Sequence, residues 1–170
     1  MTTTIDIDVR LDSPQWQARL PDAEARCGRL AATALEAVDL PDGVVELSIV
    51  LADDEAVRAL NKGWRGKDAP TNVLSFAALD EEDAPLVEGA PLLLGDVILA
   101  FETCAAEASD QGKSLEDHFS HLVIHGVLHL LGFDHEDEEE AIEMEALESA
   151  LLASLGIADP YGDEEEDEGP

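Results

Sequence analysis

The sequence contains only two cysteines, Cys27 and Cys104, which are far apart and belong to no C-x-x-C pair. A disulfide framework is therefore not expected, in agreement with a reducing compartment. We interpret both as small core or helix residues. No apolar run reaches the roughly 18 residues of a membrane-spanning helix, and the N-terminus lacks the pattern of a signal peptide. These absences predict a soluble, cytoplasmic protein.

Basic residues are also scarce: 9 Lys and Arg stand against 40 Asp and Glu, for a formal net charge of −31. Taken alone, this charge argues against a nucleic-acid partner, because phosphate binding depends on Lys and Arg. However, Arg58, Lys62, Arg65 and Lys67 fall within ten residues. An acidic protein with one basic patch could still present a phosphate-binding face.

The 170 residues suffice for one domain with a hydrophobic core. Hydrophobic periodicity predicts strands at 5–9, 44–51, 72–76 and 92–100. It predicts helices from residue 14, at 22–38, at 54–61, from 115 to a C-cap at Gly132, and from about 135 to 155. The loop at 80–91 and the tail at 161–170 are acidic, and we expect the tail to be disordered. Residues 1–160 are predicted to form a single α+β domain, a small mixed sheet of about four strands packed with about five helices.

Three histidines follow the pattern H-x3-H-x5-H, which is the pattern of a metal site. His125 and His129 are four residues apart, so they project from one face of a helix, one turn apart. Gly132 permits a sharp turn that can bring His135 to the same point. Three convergent imidazoles suit Zn²⁺, one ion per chain, bound at the helix and the turn that follows it.

A site with three nitrogen ligands and no nearby thiolate favours a catalytic role over a structural one, because it leaves a position for water. Bound zinc lowers the pKa of that water to about 7. The same spacing occurs in metzincin proteases, whose motif is H-E-x-x-H-x-x-G-x-x-H. Their glutamate is the general base, and Gly126 stands at its position here. This difference disfavours a protease.

Three further residues lie close to this motif. His118 and His121 share nearly the same helical stripe as the two helical ligands. His121 could orient a ligand or contact substrate, or it could be a partly buried polar residue, and the second interpretation is stronger for His118. Asp134 could orient an imidazole, although capping of the following helix is slightly favoured.

The segment HGVLHLLGFDH resembles the signature of the YbeY family, the bacterial zinc-dependent endoribonucleases of ribosomal RNA maturation. Further blocks of that family are resembled by NKGWRGKDAPTNVLSF, LGDVI and MEALE. The likeness covers residues 47–161, and the first 45 residues match only in layout. Asn72 stands where the family's PTDVLSF form has Asp, and we interpret it as a turn or strand-start group.

The resemblance implies that His125, His129 and His135 bind the zinc. It also implies that Arg65 is a functional residue of the cleft, where its guanidinium suits a phosphodiester. Catalytic roles are assigned to Arg65 and His129, and possible substrate contacts to Lys62 and Lys67. The implied partners are precursor ribosomal RNA, the small ribosomal subunit and a ribosomal protein, with neither DNA nor a membrane.

The resemblance thus implies a single-strand-specific, zinc-dependent endoribonuclease that matures the 3′ end of 16S ribosomal RNA and serves in ribosome quality control. Two alternatives stay open. One is another zinc hydrolase, such as a metallopeptidase. The other is a ribosome-assembly factor without catalysis, in which zinc only holds two helices together. The general base, and the choice between water and the ribose 2′-OH as nucleophile, are not assigned.

Overall fold

The computed structural model describes residues 3–38, 40, 43–77, 92–133 and 137–157. The predicted loop at 80–91 and the predicted tail at 161–170 lie outside these residues. The described elements, in chain order, are β1 (Thr3–Leu11), α1 (Pro14–Arg19), α2 (Ala23–Glu36), β2 (Gly43–Ala52), α3 (Asp54–Arg65), β3 (Val73–Ala77), β4 (Leu92–Ala100), α4 (Phe101–Asp110), α5 (Leu115–Leu130) and α6 (Glu138–Ser154). None of these helices has the length and apolarity needed to span a membrane.

The four strands form one mixed sheet in the order β1-β2-β4-β3. β1 is parallel to β2 and β2 to β4, whereas β3 runs antiparallel to β4. The register between β2 and β4 shifts where Leu47 pairs with Gly95, whose φ of 133° few other residues adopt. The predicted α+β class is confirmed.

One helix, α4, was not predicted. It begins directly after β4 without a turn, and its N-cap, Ala100, makes no side-chain cap hydrogen bond. The usual start signals are therefore missing. The sequence does contain an apolar helix face, because Phe101, Cys104 and Ala108 recur at helical spacing. All three are buried in the structure. Cys104 and Cys27 are buried core residues of helices, as predicted, and burial raises the pKa of the Cys27 thiol to about 12.

Each face of the sheet carries its own hydrophobic core, because side chains alternate along a strand. On β4, Val97 and Leu99 belong to the larger core, which includes buried residues of α1, α2, α5 and α6. Ile98 and Ala100 point the other way, into a smaller core with Val57 of α3. Helices α3 and α5 therefore lie on opposite faces of the sheet, with β3 at the end of the described strand order between them.

Candidate metal centre

The candidate site is built on α5, whose start is well specified. Ser114 caps the helix by accepting a hydrogen bond from the Asp117 backbone N–H at 3.1 Å. Glu116 and Asp117 in the first turn suit the positive end of the helix dipole. The helix buries its apolar residues in the larger core and carries a stripe of four histidines at positions 118, 121, 125 and 129.

A glutamate from another helix organises this stripe. Glu148 of α6 is 0% exposed, and its two carboxylate oxygens contact two different imidazoles. His121 Nε2–H donates to Oε2 at 3.0 Å, and His125 Nδ1–H donates to Oε1. Since a carboxylate only accepts hydrogen bonds, it fixes the His125 proton on Nδ1 and leaves Nε2 with a lone pair.

The Nε2 atom of His125 faces Nε2 of His129 at a distance of 3.1 Å. A tetrahedral zinc ion with Zn–N bonds of 2.0–2.1 Å places two nitrogen ligands about 3.3 Å apart. The pair therefore has nearly the spacing that zinc requires. Buried Glu148 behind His125 is the kind of carboxylate that orients metal-bound histidines in proteins. On spacing and on donor chemistry, the residues present fit a metal ion.

A second set of possible ligands overlaps the first. His121, His125 and Glu148 bring one ligand atom each within 4.8 Å of one another, so a metal-binding cluster is present. In this set, however, both oxygens of Glu148 are already engaged by imidazoles. The Glu148 side chain is also more buried than that of His125, at 1% against 22% exposure. This geometry suits a Glu148 that orients the two imidazoles, and the sequence analysis did not identify this residue.

The remaining predicted site residues are placed as follows. His135 and Asp134 lie outside the described residues. His121 lies beside Glu148, with its Nε2 atom 3.0 Å from Oε2. Lys62, Arg65 and Lys67 are exposed at the end of α3 and the loop that follows it. Within the described part of the chain, no hydrogen bond or ion pair joins them to the histidines.

His118 belongs to a separate polar cluster. Its Nε2–H donates to Glu107 at 2.9 Å, and the Asn72 amide donates to the same oxygen at 2.9 Å. Burial lowers the pKa of His118, and the bond to Glu107 partly opposes this shift. Asn72 Oδ1 accepts from the Val73 N–H at 2.7 Å, so Asn72 starts β3, as predicted. An unprotonated Asp at position 72 could not donate to Glu107.

Comparison with known proteins identifies the family. The family model described as Endoribonuclease YbeY matches residues 11–156. The chain belongs to the endoribonuclease YbeY family. The Endoribonuclease YbeY of Paramagnetospirillum magneticum is 76% identical over 164 residues, which are 96% of this chain and 100% of that protein. The protein of the same name from Rhodospirillum rubrum is 53% identical over 154 residues, 87% of this chain and 77% of the relative.

Membership in the YbeY family confirms the resemblance that the histidine motif and the PTNVLSF block indicated. Among solved structures, the solution structure of TM1509 from Thermotoga maritima is similar. It matches with a TM-score of 0.50 and 22% identity, over 91% of this chain and 97% of that one. At this identity the likeness supports the fold alone, and it agrees with the α+β arrangement.

The structure also explains why this YbeY-family chain has glycine where metzincins have glutamate. At Gly126, α5 lies directly against the sheet. A Cβ atom built there would lie 2.6 Å from Cγ1 of Val97 and 3.3 Å from Oγ of Ser75, and that hydroxyl donates to the Gly126 carbonyl at 3.2 Å. Val97 is buried and β-branched, so it has little freedom to move. A side chain at this position, including that of a protease-type base, would overpack this contact.

Gly126→Ala is therefore expected to lower the free energy of unfolding by about 1–2 kcal/mol, because overpacking outweighs the gain in helix propensity. Gly28→Ala is the matched control, since Gly28 lies within α2 and a Cβ there meets nothing within 4 Å. It should raise stability by about 0.5–1 kcal/mol. Urea denaturation of both variants checks this. Equal stabilisation by both substitutions would contradict the close approach of α5 to β4.

Proposed function

We propose that this chain is a zinc-dependent endoribonuclease that cleaves single-stranded RNA during ribosomal RNA processing. The proposal includes maturation of the 3′ end of 16S ribosomal RNA and ribosome quality control. One observation carries it: a pair of imidazole nitrogens 3.1 Å apart, backed by a buried carboxylate, in a chain of the endoribonuclease YbeY family. The relatives from P. magneticum and R. rubrum are named for RNA cleavage.

The proposed zinc ligands are His125, His129 and His135, with one ion per chain. The first two are supported by their facing Nε2 atoms. His135 is supported by the H-x3-H-x5-H spacing and by Gly132, whose φ of 100° turns the chain just after α5 ends at Leu130. Zinc is favoured over harder cations because imidazole is a ligand of choice for zinc and a poor one for Mg²⁺ or Ca²⁺.

When bound, a zinc ion supplies a Lewis acid for a phosphate oxygen and lowers the pKa of a water to about 7. The chain's own residues orient the zinc ligands and bind the RNA phosphates. Glu148 holds His125 so that its Nε2 lone pair faces His129. Arg65 binds the non-bridging oxygens of the scissile phosphodiester through its planar guanidinium and stabilises charge that develops on them. Lys62 and Lys67 bind neighbouring phosphates.

The charge distribution supports an RNA substrate at one end of the molecule. Four acidic side chains line an open depression on the same face of the sheet as α3: Asp6, Asp8, Glu46 and Asp96. Phosphates are repelled there and attracted to the basic end of α3. Because the net charge is −31, we propose that association with the small ribosomal subunit relies on contacts with a ribosomal protein as well. A cytoplasmic location follows from this substrate.

The test is cleavage of a defined RNA by purified protein. We expect internal cuts in a single-stranded RNA, none in a duplex of the same sequence, and loss of cleavage in His129→Ala. His118→Gln is the control on the same helix, since the amide keeps a donor for Glu107 and the site is untouched. Hydrolysis of peptides but not RNA would favour a metallopeptidase. Bound zinc with no cleavage of either would favour the non-catalytic assembly factor.

Zinc content of single variants separates the two ligand sets. If His125, His129 and His135 bind the ion, His129→Ala loses zinc and His121→Asn keeps most of it. If His121, His125 and Glu148 bind it, His121→Asn loses zinc and His129→Ala keeps most of it. Metal analysis after dialysis gives the answer without reference to activity.

A further inference from the structure

The chain has two tryptophans, in opposite environments. Trp16 is 0% exposed in the larger core, whereas Trp64, in the last turn of α3, is 74% exposed. Single exposed apolar residues are common on proteins and need no explanation. Trp64 differs because its ring lies against a second aromatic ring, that of Phe76 on β3, with centroids 6.0 Å apart. Phe76 packs against the smaller core and so supports Trp64 from one side.

The surroundings of Trp64 are basic in a strongly acidic protein. Lys62, Arg65 and Lys67 are exposed near it, and none has an ion-pair partner among the residues that the structure describes. Arg58, the fourth basic residue of this window, is held instead by Asp68 through two hydrogen bonds of 2.6 and 3.1 Å. Three of the four cations are thus available to a ligand.

This end of α3 is fixed in place before any ligand binds. Gly66, with φ of 72°, ends the helix, and its N–H donates to the Lys62 carbonyl at 3.2 Å. The buried Asn61 side chain donates to the Ala69 carbonyl at 2.8 Å, and the Lys67 N–H donates to the Asn61 carbonyl at 3.3 Å. The loop is therefore folded back onto the helix, so little ordering remains to oppose binding.

β3 connects this aromatic pair to the metal centre. Phe76 faces α3 and Trp64, while the adjacent residue Ser75 faces α5 and donates to Gly126, next to His125. Adjacent residues of a strand point to opposite faces of the sheet. β3, at the end of the described strand order, thus contacts the surface around Trp64 on one face of the sheet and α5 on the other. A ligand that crosses β3 can reach both.

We propose that Trp64, supported by Phe76, stacks on one unpaired base of the RNA substrate, while Lys62 and Lys67 bind the flanking phosphates. Exposed aromatic rings between cations are how proteins bind single-stranded nucleic acid without reading its sequence. Bases within a duplex are stacked on each other and cannot reach the ring, so this contact selects single strands. The inference rests on the proposed function, because it takes RNA as the substrate.

Tryptophan fluorescence tests the stacking directly. The probe is a single-stranded 2′-O-methyl oligoribonucleotide, checked for integrity on a denaturing gel after the titration. The comparison ligand is an abasic oligonucleotide with the same number of phosphates. The base-bearing probe should quench the solvent-exposed emission of Trp64, and the abasic one should bind with little quenching. Trp64→Ala should weaken binding of the base-bearing probe by about 5- to 150-fold, the contribution of one stacked base.

Two variants control the experiment. Trp64→Phe keeps a flat ring and should retain most of the affinity. Ile142→Ala removes another exposed apolar side chain, 61% exposed on α6, and should bind as wild type does. Unchanged binding by Trp64→Ala, or equal quenching by the abasic ligand, would overturn the inference. Quenching by a protein that cleaves no RNA would instead overturn the proposed function and leave the stacking contact standing.

Discussion

Replacing Arg65 with alanine is expected to lower kcat/KM for RNA cleavage by about 100- to 1,000-fold, the usual cost of removing one preorganised donor to a developing oxyanion. The zinc content should not change, because Arg65 lies on α3 and has no contact with the histidines in the described part of the chain. Arg65→Lys should recover only part of the rate, since an ammonium cannot bind two phosphate oxygens in the geometry of the guanidinium fork. Initial rates on a fluorescent single-stranded RNA provide the measurement.

Arg19→Ala is the matched control for Arg65. Arg19 is an exposed arginine in the last turn of its helix too, but α1 packs beside β1, at the opposite end of the strand order. Its loss changes the net charge by the same amount and should leave kcat/KM within about twofold, because exposed charges far apart are largely screened. If both variants lost activity equally, the effect would be one of overall charge, and Arg65 would have no place in the cleft.

Replacing Glu148 with glutamine is expected to weaken zinc binding by about 10- to 100-fold, as is typical when the carboxylate behind a metal-bound histidine is lost. Glutamine keeps the size of the side chain, so packing in the buried site is preserved. One of its two polar atoms is a donor, however, and it cannot accept from both His121 and His125. If the amide nitrogen faces His125, its Nδ1–H loses the acceptor. Otherwise His125 must place its proton on Nε2, and Nε2 then has no lone pair for zinc.

Zinc affinity of the Glu148 variant should be measured by competition with a chromophoric chelator. Glu143→Gln is the control, because Glu143 is an exposed glutamate of the same helix, and its affinity should equal that of wild type. Cleavage by Glu148→Gln should recover in excess zinc, since the ligands themselves are intact. Wild-type affinity in Glu148→Gln would show that this buried carboxylate has no part in orienting the metal ligands.

The sequence could predict the part of the site that is local in the chain. His125 and His129 are one helical turn apart, so their convergence depends only on the formation of α5, whose cap and apolar stripe are explicit. Glu148 could not be predicted from that motif, because it comes from α6, 23 residues beyond His125, and only the packing of two helices brings them together. MEALE was recognised as a family block, yet nothing in its pattern distinguishes the buried Glu148 from Glu145, which is only partly buried.

In the fold, too, features with local sequence signals could be predicted, and features that depend on tertiary packing could not. Most predicted strands and helices match the structure to within a few residues. α3 begins at Asp54 as predicted, but it continues to Arg65, four residues beyond its predicted end at residue 61. α4 was missed because β4 runs directly into it. The sequence showed that Gly126 cannot supply a protease base. The contact with Val97 that disfavours a side chain there could not be predicted, because it depends on how α5 lies on the sheet.

The most direct test of the account is metal content and RNA cleavage measured on the same preparation. The account predicts one zinc ion per chain, loss of cleavage when a chelator removes it, and recovery when one equivalent of zinc is returned. His129→Ala should bind little zinc and should not recover. Cleavage of single-stranded RNA at the full rate by protein shown to be free of metal would contradict the central claim.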